Sequence, residues 1–241
     1  MQAARAATFV ERQDVRGDVG LQRIGGIVGV AYGAVKIVFA ITFLSTLNAA
    51  GLTAPLDGKA PQFYDALQAR LALLLPLQSV ELAVAVIALV FVRALDQRLR
   101  AASPTASSTA ALFGYAGVAL LTLDLGSALR LDQSVAAGTA RATVETSIAT
   151  ALTLQETTAL AVSLFLGVWL FTVCWIVVRR GGLPRPLGYF GFLAAAWLVV
   201  GIFFGIQGFA PLLVSVWQVA AGAVLWFRPQ HAEAVSAAGI P

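Results

Sequence analysis

The chain has 241 residues, of which 59% are hydrophobic and 12% are charged. Soluble domains carry about a quarter of charged residues, so a water-soluble globular domain is excluded. The net charge of +4 at pH 7 comes from bases at the ends of apolar runs, which indicates contacts with membrane lipids rather than with nucleic acid.

The chain begins with a polar segment, residues 1–23, which we expect to be a cytoplasmic arm. The first membrane span follows at about 24–47 and exceeds the ~20 residues that cross a bilayer. Gly25, Gly29 and Gly33 recur every four residues and share one helical face. Small residues let a second helix approach closely, so we expect this face to be a helix-packing surface.

Two further spans follow in the same pattern. The second, at about 71–92, comes after an outside loop rich in turn residues. It contains Pro76, which removes a backbone donor and predicts a kink. The third span, at about 111–129, follows a small polar linker. We expect segment 131–154 to lie outside, either as an interfacial helix or as an extension of the next span.

The last three spans carry the strongest membrane signal. Span four, at 157–178, has no charged residue and leads into the loop RRGGLPRP, which has three arginines and no acid. Spans five and six, at about 187–206 and 211–227, divide one uncharged run at a cluster of Gln, Gly and Pro. Residues 24–228 thus form one transmembrane domain, and 229–241 form a cytoplasmic tail.

Basic residues set the expected orientation. One side of this topology carries eleven Lys and Arg residues, whereas the other carries Lys59, Arg70, Arg130 and Arg141. Cytoplasmic loops are enriched in bases, so both termini are expected in the cytoplasm. The sequence predicts an all-α, multi-pass bundle of six transmembrane helices.

Ionisable residues inside the bilayer are the first candidates for function, because an unpaired charge there is costly. Lys36 lies about twelve residues from the inner edge of span one, and Glu81 about eleven from the outer edge of span two, so at ~1.5 Å per residue both reach the midplane. We hypothesise that they form a buried ion pair. It is either a structural clasp between two helices, which we favour, or a pair that handles protons or a substrate.

Other polar residues extend this set. Asp124 lies about two-thirds of the way along span three and joins the ion pair as a candidate ligand-binding residue. Arg130, Glu156 and Gln207 are candidates for the rim of an outward-opening pocket. The alternative is a ring of interfacial polar groups that reach for water, which we favour for Glu156.

The sequence lacks the residues that several kinds of cofactor binding and catalysis require. The single histidine, His231, lies in the tail, so histidine-ligated haem or zinc sites and Ser/His catalysis are not expected in the membrane. Cys174 stands alone in an apolar run, which is typical of a buried small residue. No nucleotide-binding glycine motif occurs. We expect no cofactor and no metal, and the sequence disfavours most enzyme classes.

Three segments carry a resemblance to a known family. They are RIGGIVGVAYG (Arg23–Gly33), LFLGVWLFTVCWIVVRRGGLPRPLGYFGFLAAAWLVVGIF (Leu164–Phe203) and VWQVAAGAVLWF (Val216–Phe227). Here the sequence resembles the bacterial family called domain of unknown function 4386. The resemblance implies a six-helix integral membrane protein of the bacterial cytoplasmic (inner) membrane, and it transfers no catalytic residue.

Two functional hypotheses follow from these features. The first is a binding or transport-like protein that holds a small apolar or amphiphilic ligand between its helices, near the buried charges. The second is an accessory subunit that packs against a larger membrane complex. Its packing surface would be the Gly25, Gly29 and Gly33 face or the face of Gly201 and Gly205.

Overall fold

The structure, a computed structural model, describes residues 2–52, 59–204 and 210–229, with side chains from residue 19 onward except at 153, 155, 156, 202–204 and 210. Within these ranges the chain is all α-helical, and no strand occurs. The six helices are α1 (Gln2–Ala49), α2 (Ala60–Arg100), α3 (Pro104–Ala136), α4 (Arg141–Arg180), α5 (Arg185–Phe204) and α6 (Ala210–Phe227).

Helices α1 to α4 are long and apolar enough to cross a membrane. Helices α5 and α6 are also apolar but shorter, with 20 and 18 residues. Large apolar side chains cover the outside of the bundle; Leu112 is 69% exposed and Leu123 is 70% exposed. Soluble monomers rarely present such a surface to water, whereas hydrocarbon solvates it.

The helix boundaries follow local chemistry. Pro61 and Pro104 lie in the first turns of α2 and α3, where a missing N–H costs nothing. Helix α2 continues without a break through Pro76. Helix α4 ends at Gly181 and Gly182, whose φ angles of 92° and 93° favour glycine.

Helices α1 to α4 all extend well beyond the expected spans. Helix α1 runs from Gln2, so the expected arm and the first span belong to one helix. Helix α4 begins at Arg141, so the segment before span four is an extension of that span. Its hydroxyl side chains, such as those of Thr146 and Thr150, donate to carbonyls one turn back, which lets polar residues stay within a helix.

The helices close into a ring. Each helix packs against the next one in sequence, and α6 packs against α1, while α2 also contacts α4. The core of the ring is aromatic: Phe91, Trp169 and Trp217 contact one another edge to face. The Trp217 indole donates to the Leu187 carbonyl at 3.1 Å, so its N–H is satisfied inside the core.

Glycines in α1 allow two close helix crossings. Gly25 and Gly29 face α2, where an added Cβ would overlap Ala94 and the Phe91 ring. Gly33 lies about 80° around the helix from Gly25, because the eight residue steps between them rotate by more than two full turns. It therefore faces α6. The glycine face proposed for an external partner is thus covered by helices of the same chain.

The crossing of α1 and α6 is a backbone contact. A Cβ on Gly26 would lie 2.6 Å from the Gly222 carbonyl oxygen, and a Cβ on Gly222 would lie 2.7 Å from the Gly26 oxygen. Only two glycines permit this approach. The sequence analysis missed the pair, because its partners are nearly 200 residues apart.

A buried arginine fastens one end of the bundle. Arg98 at the end of α2 is 7% exposed. Its guanidinium donates to the Gly182 carbonyl, to the Gln22 side chain of α1 and to the Arg228 carbonyl after α6. In the sequence Arg98 is one of the eleven bases that predict the orientation, whereas in the structure its fork of donors joins four elements.

Candidate functional site

A cavity of about 400 Å³ lies between the helices. All six contribute to its wall. The polar residues used below are Lys36 of α1, Gln78 and Glu81 of α2, Asp124 and Asp132 of α3, and Gln218 of α6. Three of the lining residues are exposed at the surface: Leu44, Ser127 and Pro211. They mark the mouth of the cavity, near the ends of α1 and α3 and the start of α6.

Lys36 and Glu81 meet in this cavity. The Lys36 ammonium lies 3.6 Å from one carboxylate oxygen of Glu81, whose side chain is 1% exposed against 17% for Lys36. At this separation the contact is an ion pair rather than a short hydrogen bond. The Lys36 ammonium also lies 5.8 Å from the centre of the Tyr32 ring, one turn earlier. The pair therefore joins α1 to α2 and faces open space.

Asp124 extends the charged group to α3. One of its carboxylate oxygens accepts a hydrogen bond from the Thr158 hydroxyl of α4 at 3.0 Å. Asp124 also lies within electrostatic range of Lys36 and Glu81. Lys36 is the one base in the described wall of the cavity. It faces two carboxylates, so it cannot neutralise both.

Three buried acceptor oxygens in the cavity wall have no hydrogen-bond partner within the described structure. They are Gln78 Oε1, the second carboxylate oxygen of Glu81 and Gln218 Oε1. The three residues are 6%, 1% and 5% exposed. Buried polar atoms are rarely left unpaired, because the loss costs about 1–3 kcal/mol for each. Such a group of acceptors calls for hydrogen-bond donors in the cavity, supplied by water or by a ligand.

The remainder of the wall is apolar. Phe39 and Phe43 stack with ring centres 5.7 Å apart, and Phe63 contacts Phe43 edge to face. All three line the cavity together with aliphatic residues. The site therefore combines an aromatic, apolar part with a compact polar part.

The rim candidates have separate outcomes. Arg130 is exposed on α3 and does not line the cavity. The side chain of Glu156 and the whole of Gln207 lie outside the described residues, as does Gly205. Gly201 is buried in α5.

The wall contains three polar residues that were not among the predicted site residues. In the sequence Gln78 and Gln218 lie within apolar spans, and Asp132 follows the predicted end of span three. One signal was available: Gln78 precedes Glu81 by three residues, and Ser215 precedes Gln218 by three, so each pair shares a helix face. No sequence signal showed that these two faces meet.

The described residues form an all-helical bundle with an apolar exterior and charged residues in its interior. Four of its helices are long enough to cross a bilayer. These features define a helical membrane protein. The family model for the domain of unknown function DUF4386 matches residues 27–228. The chain therefore belongs to this family, as the resemblance implied. Comparisons with curated proteins and with solved structures give no match.

Proposed function

We propose that this protein binds a small amphiphilic ligand in its intramembrane cavity, as a binding or transport protein. The observation that carries the proposal is the cavity itself, whose wall contains ionisable residues, orphaned acceptors and aromatic rings. A volume of about 400 Å³ falls within the range of small-molecule sites, which are mostly apolar with a few placed polar groups.

A purely structural role explains less of this arrangement. A clasp between α1 and α2 requires the Lys36–Glu81 contact alone. It requires neither Asp124 in the same space nor the acceptor of Gln218 on a third helix. Polar groups in a membrane interior are expensive, so their convergence on one cavity favours ligand binding. The accessory-subunit alternative has less support, because α2 and α6 already cover the glycine face of α1.

We further propose six crossings with both termini in the cytoplasm of a bacterium. Helices of 20 and 18 residues span about 30 and 27 Å at ~1.5 Å per residue, close to the ~30 Å hydrocarbon thickness. The excess of bases at one end of the bundle supports this orientation. Single cysteines at Arg180 and at Thr139, which is exposed in the turn between α3 and α4, test it in a Cys174→Ala background, in intact cells with a membrane-impermeant maleimide. We expect labelling at position 139 alone, and labelling at position 180 alone would show the opposite orientation.

Native mass spectrometry tests the ligand proposal directly. The protein is extracted in mild detergent and released from the micelle in the spectrometer. A lone chain carrying a reproducible small adduct supports ligand binding. A stoichiometric partner subunit with an empty interior would instead support the accessory role. The adduct should be lost from a Gln218→Phe variant, in which the larger ring projects into the cavity.

A further inference from the structure

We infer that the ligand of this cavity carries a cationic head with N–H donors, such as a primary or secondary ammonium, on a short apolar tail. This inference rests on the proposed function and narrows it to a class of ligand. It draws on three independent features: the kind of orphaned atoms in the wall, the balance of charge there and the position of the aromatic rings.

All three orphaned atoms are acceptors. They come from Gln78 and Glu81, three residues apart on α2, and from Gln218 on α6. A ligand that satisfies them must donate hydrogen bonds. A carboxylate or phosphate head has only acceptors to offer and would add to the mismatch. A primary ammonium has three N–H donors and matches the count.

The charge in the described part of the wall is negative. The residues that can carry a charge at neutral pH are one base, Lys36, and three acids, Glu81, Asp124 and Asp132. When all are ionised, the base balances one acid and two negative charges remain. In a low-dielectric interior an unbalanced charge is costly, and a cationic ligand would offset part of it. The contact of a cation with a carboxylate also strengthens each hydrogen bond.

The apolar part of the cavity determines the other end of the ligand. Phe39, Phe43 and Phe63 form a contiguous aromatic group. Phe39 lies one turn beyond Lys36 on α1, so the rings adjoin the Lys36–Glu81 pair. A linear molecule with one charged end and one hydrocarbon end fits this arrangement.

Isothermal titration calorimetry tests the inference with four probes of equal chain length: octylammonium, octyltrimethylammonium, octanol and octanoate. The protein is held in lipid nanodiscs, and empty nanodiscs of the same lipid provide the blank for partitioning. We expect octylammonium to bind about tenfold or more tightly than octyltrimethylammonium, since the latter has the charge but no N–H donor. Octanol and octanoate should bind more weakly still.

Variants assign the effect to the named atoms. Gln78→Leu and Gln218→Leu each remove an acceptor at nearly constant volume, and each should weaken octylammonium binding about tenfold. Both should fold, because they remove a buried unsatisfied atom, and the melting temperature of the unliganded protein should not fall. Gln133→Leu is the matched control, because Gln133 is exposed on α3 and does not line the cavity. It should leave the affinity unchanged.

The outcomes separate this inference from the proposed function. If octanoate or octanol binds most tightly, the cationic head is refuted while the ligand site stands. If octyltrimethylammonium matches octylammonium, charge alone decides and the role of the orphaned acceptors is refuted. If none of the four probes binds above the blank, the inference is refuted, whereas the proposed function fails only if native mass spectra also show no adduct.

Discussion

Replacement of Lys36 by methionine would remove one half of the buried ion pair. At 3.6 Å and an effective dielectric constant of about 20, the attraction is about 4 to 5 kcal/mol before desolvation is counted. Glu81 is 1% exposed, so its carboxylate would be left buried beside Asp124. Loss of one partner of a buried pair costs about 3–5 kcal/mol, and we expect Lys36→Met to lower the free energy of unfolding by this amount.

The reverse change should be milder. In Glu81→Gln the ammonium of Lys36, which is 17% exposed, keeps Asp124 within electrostatic range. We expect a loss of about 1–3 kcal/mol. The double variant has no stranded charge at either position. It should be more stable than Lys36→Met alone by about 2 kcal/mol, because the buried carboxylate that lost its partner is gone.

Unfolding in mixed micelles with increasing dodecyl sulfate measures these differences. Glu145→Gln is a suitable control, because it breaks the pair of Glu145 with Arg141 at an exposed helix end, where ion pairs contribute little. The reasoning is refuted if the double variant is no more stable than Lys36→Met, or if the control loses as much stability as the buried variants.

Three further predictions concern packing, the end of the bundle and the cavity mouth. Gly222→Ala should lower the free energy of unfolding by about 1–3 kcal/mol, because the added methyl group would clash with α1. Gly126→Ala, with open space around it, should raise the free energy of unfolding by up to about 1 kcal/mol. If both variants changed stability similarly in the same unfolding assay, the α1–α6 contact would be contradicted. Arg98→Met removes three hydrogen bonds at once and should lower the free energy of unfolding by about 3 kcal/mol. Proteolysis of the loop after α4 should be faster in this variant. An unchanged rate would exclude the role of Arg98 in fastening this end of the bundle. Ser127→Cys should react with maleimide, and octylammonium should protect it. The buried Cys174 should show no maleimide adduct in mass spectra. Protection by octanoate alone would argue against the cationic ligand.

Much of the charged site follows from counting along the chain. The rise of a helix is fixed, so the depths of Lys36 and Glu81 can be predicted from their distance to the span ends. The angular position of a residue around its helix is fixed as well. Glycines spaced four residues apart lie on one face, and such a face of small residues predicts a contact with a neighbouring helix. In the structure Gly25 and Gly29 contact α2, and Gly33 contacts α6.

Other features depend on which helices become neighbours. The acceptor of Gln218 joins the site only because α6 returns to α1 and closes the ring. Asp132 lines the cavity because α3 continues to Ala136, beyond the span that hydrophobicity marks. Arg98 acquires its acceptors from three distant parts of the chain. No local pattern encodes such meetings, so the sequence could predict the charges of the site but not its full hydrogen-bonding capacity.

The backbone contact between Gly26 and Gly222 has a consequence for biogenesis. A ribosome synthesises α1 well before α6, so α1 must remain in the lipid without this neighbour until the intervening helices have been translated. During that interval the acidic residues facing the future cavity lack one wall of their enclosure. Insertion of α6 then assembles the compartment.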